Sequence, residues 1–341
     1  MREVGKRAST GEITIRDVAS KADVSVASVS RAFNGLSNVR DETKARIMAA
    51  AAELGYVPHA GARSLSMART QGIGVVLPDL HGEFFSECVR GMDREAHRRG
   101  YLMLLSNMHD GRGQLGEVLR AMRGRVDGLL LMAPHVPERD LAEALPQGLP
   151  VVLINSGDVG NDLASIQVDA AAGVEATVRH LVETGRREIV HVAGPRDNRE
   201  ALEREDSFSR SLRRHLPQAR VRVYPGDFSE ASGEAAAREI LASSEPCDAI
   251  FAANDSMAIG CLTMLREAGR KVPEEIAVAG FDNIPLARHL GLTTVHVPIA
   301  DIGGRAVNRL IDALEGKAET GGRDHLASEL VIRATTGVKA L

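Results

Sequence analysis

From Ile73 onward, short apolar runs alternate with longer amphipathic stretches, and no other feature limits the fold as strongly. Residues 73–77, 101–105, 128–132 and 151–154 have the length and aliphatic content of buried strands. A second set follows at 189–192, 221–224, 249–252 and 276–280. Helices are expected between them, several closed by a glycine, as at Gly100, Gly185 and Gly269. Strand and helix in alternation make parallel, doubly wound sheets. Two sets of about four units imply two similar subdomains with a cleft between them. Ligands of such sheets bind beyond the carboxyl ends of the strands.

Residues 14–35 break that alternation, reading T-I-R-D-V-A-S-K-A-D-V-S-V-A-S-V-S-R-A-F-N-G. Two short helices joined by a tight turn are expected. Thr14 and Asp17 have the spacing of a capping box, and Val18, Ala19 and Ala22 form an apolar stripe. Ala22, Asp23 and Val24 make the turn. Ser25 caps the second helix, Val29, Ala32 and Phe33 face back onto the first, and Gly35 ends it. Val26, Ala27, Ser30 and Arg31 are left on the outer face. Small apolar groups there can meet a thymine methyl, and an arginine can fork onto guanine in the major groove. On this stretch alone, an ordinary helical hairpin with Arg31 as a solvated charge is the other reading. Residues 39–56 add a third helix with a stripe of Ile47, Ala50, Ala51 and Leu54, stopped by Gly55. An all-α head over 12–58 is therefore expected after a disordered leader at 1–11.

The charge divides the same way. Residues 1–70 carry 11 Lys and Arg against 7 Asp and Glu, whereas the remainder carries 31 against 39. A mildly basic head on an acidic body suits a head that meets phosphate and a body that does not. Cys88, Cys247 and Cys261 are far apart and lack metal-ligand spacing, so thiols in a reducing cytoplasm are expected. No apolar run reaches membrane length, and the polar start lacks the apolar core of a signal peptide.

An enzyme is the alternative class to a binding protein. The run from Gly111 to Gly116 matches G-x-G-x-x-G. It trails its strand by several residues, and no acidic strand end follows at the required distance. A loop running into a helix is expected there. No P-loop lysine, G-x-S-x-G or H-E-x-x-H occurs, so nothing assembles acid, base and nucleophile. No catalytic residue, metal or cofactor is expected.

The motifs, taken in order, resemble those of the LacI/GalR family of bacterial transcription regulators from Thr14 to about Thr336. They are T-I-R-D-V-A with V-S-V-A-S-V-S-R-A-F-N-G, G-Y-V-P-H-A-G-A-R-S-L and I-G-V-V-L-P-D, then R-V-D-G-L-L-L, A-N-D-S-M-A-I-G, G-F-D-N-I-P-L-A-R and L-T-T-V-H-V-P. The resemblance implies a helix-turn-helix head on a body of periplasmic-binding-protein type. The body would run over 71–341, with one subdomain at about 71–168 and 299–325 and the other at about 169–298 and 326–341. It implies a cytoplasmic homodimer reading a palindromic operator, usually as a repressor. Val26, Ala27 and Arg31 would meet base edges, and Ser25, Ser30 and Asn34 would meet phosphates, with Thr14 also at the DNA. Residues 59–70, including Ala62, would form a hinge helix whose Leu65 wedges into the minor groove.

The same resemblance implies a small effector between the subdomains that switches DNA binding. Its matching positions are Asp79, Phe84, Phe85, Arg204, Phe228, Asn254 and Asp282. Asn198 and Asp169 are weaker candidates, and Asp255 is expected to cap a helix. Aromatic faces stack on sugar C–H surfaces while Asp, Asn and Arg bridge hydroxyls, so a sugar or sugar derivative is favoured over a nucleobase or nucleoside. One local departure is His81-Gly82-Glu83, where the family usually has Asn-Pro before the Phe pair.

Overall fold

The computed structural model describes residues 13–34, 39–57, 69–108, 114–156, 160, 163–317 and 321–337. It divides into two units, Met1–Gln71 and Gly72–Leu341. The first contains α1 (Ile15–Lys21), α2 (Val26–Phe33) and α3 (Asp41–Leu54). The Thr14 amide and hydroxyl both donate to Asp17 Oδ2, at 2.8 and 2.7 Å. These bonds hold the Asp17 carboxyl below its ordinary range. Asp23 takes the turn at φ +49°, and Ser25 Oγ accepts from the Ser28 amide at 3.1 Å to start α2. Val18, Ala19, Ala22, Val29, Ala32 and Ile47 pack as one core, closed by Phe33 edge-on to Tyr56. Lys21 pairs with Glu53 to tie α1 to α3. Gly55 ends α3 in the left-handed region. The expected leader, Gly35 and the hinge positions Ala62 and Leu65 lie outside the described residues.

The second unit holds two six-stranded sheets. The first is ordered β11-β5-β4-β3-β1-β2 and the second β12-β10-β9-β8-β6-β7. In the first, β1 (Gly72–Leu77), β2 (Leu102–Asn107), β3 (Gly128–Leu131), β4 (Val151–Ile154), β5 (Ala164–Asp169) and β11 (Arg323–Ala327) run parallel. In the second, β6 (Ile189–Val192), β7 (Val223–Tyr224), β8 (Ala249–Ala252), β9 (Ala277–Asp282) and β10 (Thr293–His296) run parallel, and β12 (Glu329–Val331) is antiparallel to β10. The helices are α4 (Glu83–Arg98), α5 (Leu115–Met122), α6 (Glu138–Ala144), α7 (Ala170–Glu183), α8 (Arg199–His215), α9 (Glu230–Ala242), α10 (Asp255–Glu267), α11 (Pro285–His289) and α12 (Ile299–Leu314). Central strands such as β3, β4, β6 and β8 are buried throughout, as expected of strands covered on both faces.

Each sheet has two strands more than the apolar runs indicate. β5 reads A-S-I-Q-V-D and β11 R-D-H-L-A, polar patterns that become strands only because a neighbour pairs with them. The chain passes between the sheets after β5, after β10 and at Ser328 between β11 and β12. In each half one helix pair approaches closely through glycine. A Cβ on Gly91 would strike the Ala300 carbonyl between α4 and α12. One on Gly233 would strike the Met257 carbonyl between α9 and α10. No helix among the described residues is long and apolar enough to cross a membrane.

Candidate functional site

In the head, α2 presents Val26, Ala27 and Arg31 to solvent while Val29 and Ala32 are buried. Val26 is 41% exposed, a large apolar group left without cover. Ser25 is exposed too, but its Oγ caps the helix and lies 3.0 Å from Ser28 Oγ. Ser30 and Asn34 are half-buried, joined by a 3.4 Å bond from Asn34 Nδ2. Thr14 is exposed with its hydroxyl given to Asp17. Val26, Ala27 and Arg31 thus point outward while neighbouring polar groups hold the helix in place.

In the body, the strand ends of the second sheet bring four of the expected effector residues together. Arg204, on α8, is 6% exposed. Its Nη1 donates to the Ala253 carbonyl at 2.8 Å. Its guanidinium lies 4.1 Å from the Phe281 ring centroid and 5.9 Å from that of Phe228, so a buried cation is held against two aromatic rings. Arg204 Nε has no hydrogen-bond partner. Asp282 ends β9 with φ +107°, a conformation that costs an aspartate about 1–3 kcal/mol. It is 4% exposed, and its buried Oδ1 has no partner among the described residues. Burial pushes its pKa well above the ordinary range, against the pull of Arg204. A strained, buried and unanswered carboxylate beside an under-used guanidinium is a costly arrangement unless a ligand completes it.

Phe228 sits at φ +73°. Its carbonyl accepts from Asn254 Nδ2 at 3.0 Å, and its ring occupies the space a Cβ on Gly194 would fill. Asn254 Oδ1 accepts from the Met257 amide at 2.9 Å and so caps α10. The expected cap, Asp255, does something else. Its Oδ1 accepts from Thr294 Oγ1 at 2.5 Å and its Oδ2 from the Ile284 amide at 2.9 Å, tying three strand ends together. The one-residue exchange follows from reach: Asn254 is in extended conformation immediately before the helix, where a side chain can turn onto the first amides. Burial raises the Asp255 carboxyl to about 7. Asn198 and Asp169 are caps of α8 and α7.

The facing subdomain supplies Asp79, Phe84 and Phe85. Asp79 is exposed, with its Oδ1 accepting from the Leu80 and His81 amides. The two half-buried phenyl rings meet edge to face at 5.3 Å at the start of α4. Two sets of contacts cross between the subdomains. Glu83 Oε2 accepts from the Leu286 amide at 2.9 Å. His135 Nδ1 lies 3.3 Å from Asp197 Oδ1, the Arg199 amide donates to the Pro134 carbonyl at 3.2 Å, and the Arg199 side chain pairs with Glu138. Glu83 belongs to the His81-Gly82-Glu83 run singled out in the sequence.

Two residues beyond the expected set stand beside Arg204. Phe281 forms the floor under its guanidinium. Glu200 Oε1 lies 3.9 Å from Arg204 Nη2, and burial raises its carboxyl to about 6. The sequence did carry a signal for Glu200, since Glu at i and Arg at i+4 meet on a helix face. No group of three or more His, Cys, Asp or Glu among the described residues could hold a metal ion.

A helical head with an outward-facing second helix, carried on a two-subdomain body with an unanswered polar cleft, defines a ligand-responsive DNA-binding regulator. Comparison with known proteins agrees on both parts. Residues 14–59 match the model of bacterial regulatory proteins of the lacI family, and residues 178–336 match a periplasmic binding protein-like domain. The HTH-type transcriptional repressor PurR of Salmonella typhimurium is 34% identical over 313 residues, covering 90% of this chain and 92% of that protein. Among solved structures, the Lac repressor dimer bound to operator and the anti-inducer ONPF has a TM-score of 0.87 at 28% identity, covering 96% of this chain and 99% of that one. A complex of the transcriptional regulator CelR with cellobiose has a TM-score of 0.69 at 30% identity, covering 95% and 100%. The chain belongs to the lacI family of bacterial regulatory proteins. It is a DNA-binding regulator with an effector-binding domain, in a family of regulators and not of enzymes.

Proposed function

We propose that this regulator is a cytoplasmic repressor that binds a palindromic operator as a homodimer and is switched by a sugar or sugar derivative. The observation that carries the effector site is Asp282: a buried carboxylate with Oδ1 unpartnered, held in strain beside Arg204. Phe228 and the Phe84–Phe85 pair supply flat apolar faces, and Asn254, Arg204 and Asp79 supply polar groups around them. The cellobiose in the CelR complex supports a sugar-like ligand. The same three phenyl rings also suit the flat ring of a nucleoside, which is the second reading. For dimerisation, the edge strand β2 leaves Leu102, Leu104 and Leu105 exposed, with Leu102 at 78%. An apolar edge of that kind is normally covered, and the operator-bound Lac repressor is described as a dimer.

On DNA, Val26, Ala27 and Arg31 read bases, Ser25, Ser30 and Asn34 stand near phosphates with Thr14 also at the DNA, and Ala62 and Leu65 belong to the hinge. Arg31→Ala is expected to weaken specific operator binding by about 1–3 kcal/mol with little change in non-specific binding; equal losses would remove Arg31 from base readout. Leu65→Ala is expected to reduce operator bending measured by energy transfer between end labels. A thermal-shift screen of sugars and nucleosides on the full chain tests the effector class, since a ligand of the native state raises the melting temperature. Stabilisation by nucleosides alone would replace the sugar reading by the second one.

A further inference from the structure

The cleft around Arg204 contains two carboxyl groups for one guanidinium. Arg204 spends Nη1 on the Ala253 carbonyl, and Glu200 approaches its Nη2 at 3.9 Å. Asp282 is left with Oδ1 buried and unanswered. Among the described residues, three other cations near the cleft are engaged elsewhere. Arg333 donates to the Leu292 carbonyl and to Asn283 Oδ1. Arg199 is shared between Glu138 and Glu203. His135 is turned to Asp197. A third carboxyl, Asp255, is satisfied by Thr294 and the Ile284 amide and needs no ligand.

A neutral polyol would use Arg204 as donor and Asp282 as acceptor, and would close over the half-buried Glu200 with only Arg204, at 3.9 Å, to offset its charge. Burying an uncompensated carboxylate is expensive. Burial raises the proton affinity of both Glu200 and Asp282 although Arg204 pulls each the other way, so the one shared guanidinium does not offset the burial of two carboxyl groups. An anionic ligand such as a sugar phosphate would meet both carboxylates and is disfavoured by repulsion.

We propose that the effector carries a basic nitrogen, as an amino sugar does, with its ammonium group held between Asp282 and Glu200 and Glu200 as the residue that selects it. Arg204 then keeps a hydroxyl-binding role, and the phenyl faces cover the ring. This rests on the sugar-binding reading of the same cleft and names the class of sugar.

The test is calorimetric titration of the full chain near pH 7 with matched sets: glucose, glucosamine and N-acetylglucosamine, and the corresponding galactose and mannose sets. The N-acetyl member keeps the bulk and removes the charge. In at least one set, the amine is expected to bind about tenfold or more tightly than both neutral members. In Glu200→Gln, which keeps shape and hydrogen-bonding capacity, the preference is expected to fall within about threefold. Asp282→Asn, made in parallel, is expected to weaken the whole set. Neutral members binding as tightly as the amine would overturn the inference and leave the sugar reading standing. So would an amine preference that survives Glu200→Gln. If no member of any set binds a protein that still melts cooperatively, the sugar reading fails and this inference with it.

Discussion

The two halves of the body share a strand order yet expose their strand ends differently. In the half built on β6 to β10, Arg204 and Asp282 are buried, Phe228 is half-buried, and each is fixed by its neighbours. Arg204 is held by a carbonyl and two rings, Phe228 by Asn254 and Gly194, and Asp282 by the strained end of β9. In the half built on β1 to β5, Asp79 is exposed and occupied with its own loop, and the Phe pair is half-buried at a helix start. In the proposed effector site, one topology would thus serve once as a socket and once as a cover. Groups fixed in advance lose little freedom on binding, so affinity should concentrate in the socket, and the cover should govern closure.

The largest effect is expected from Arg204→Ala and Asp282→Asn. Each should lower effector affinity on the order of 100-fold, because truncating one member of a buried polar set leaves the others unanswered. Calorimetry reads this directly. A comparable loss from Asp79→Asn would erase the distinction between the halves. Phe84→Ala should cost about tenfold, the scale of a lost aromatic contact with its covered area. Glu83→Ala should change affinity about threefold to tenfold by removing the Leu286 bond that joins the halves. A change in small-angle scattering of the unliganded body would accompany it.

The smallest expected effect on the effector comes from Asp255→Asn, which acts on stability instead. The Asp255 carboxyl, raised to about 7 by burial, lies above its ordinary 3.8. Its contribution is therefore complete below pH 3.8 and is lost as pH rises through about 7. Melting temperature should fall between pH 5.5 and 8 less steeply in Asp255→Asn than in the parent. Asp282 is raised in the same direction, so part of the slope should remain. An unchanged slope would mean that Asp255 is not the group titrating.

Local pattern carried the head almost completely. The Thr14–Asp17 pair, the Ser25 cap and the Val29–Ala32 stripe are all interactions between residues close in sequence. The central strands were equally plain, because strands covered on both faces read as apolar runs. β5 and β11 were hidden because their polar sequences become strands by pairing with each other far along the chain, and β12 because three residues are too short a run to read as a strand. The exchange of roles between Asn254 and Asp255 turns on which side chain faces the first helical amides, and adjacent polar residues do not reveal that. Glu200 lay in a run of charged residues on a helix that resembles any solvated face. Only the fold sets it beside Arg204 and Asp282. Glu83 became informative once its partner, 203 residues away, was known.

The central claim is that one cleft in the body controls the affinity of the head for operator DNA. The direct measurement is fluorescence anisotropy of a labelled palindromic operator titrated with the full chain, with and without the sugar found by the thermal-shift screen. A shift of about tenfold or more in half-saturation is expected for the parent chain, and no shift for Asp282→Asn at the same sugar concentration. An equal shift in both proteins, or none in the parent with the sugar demonstrably bound, would contradict the account.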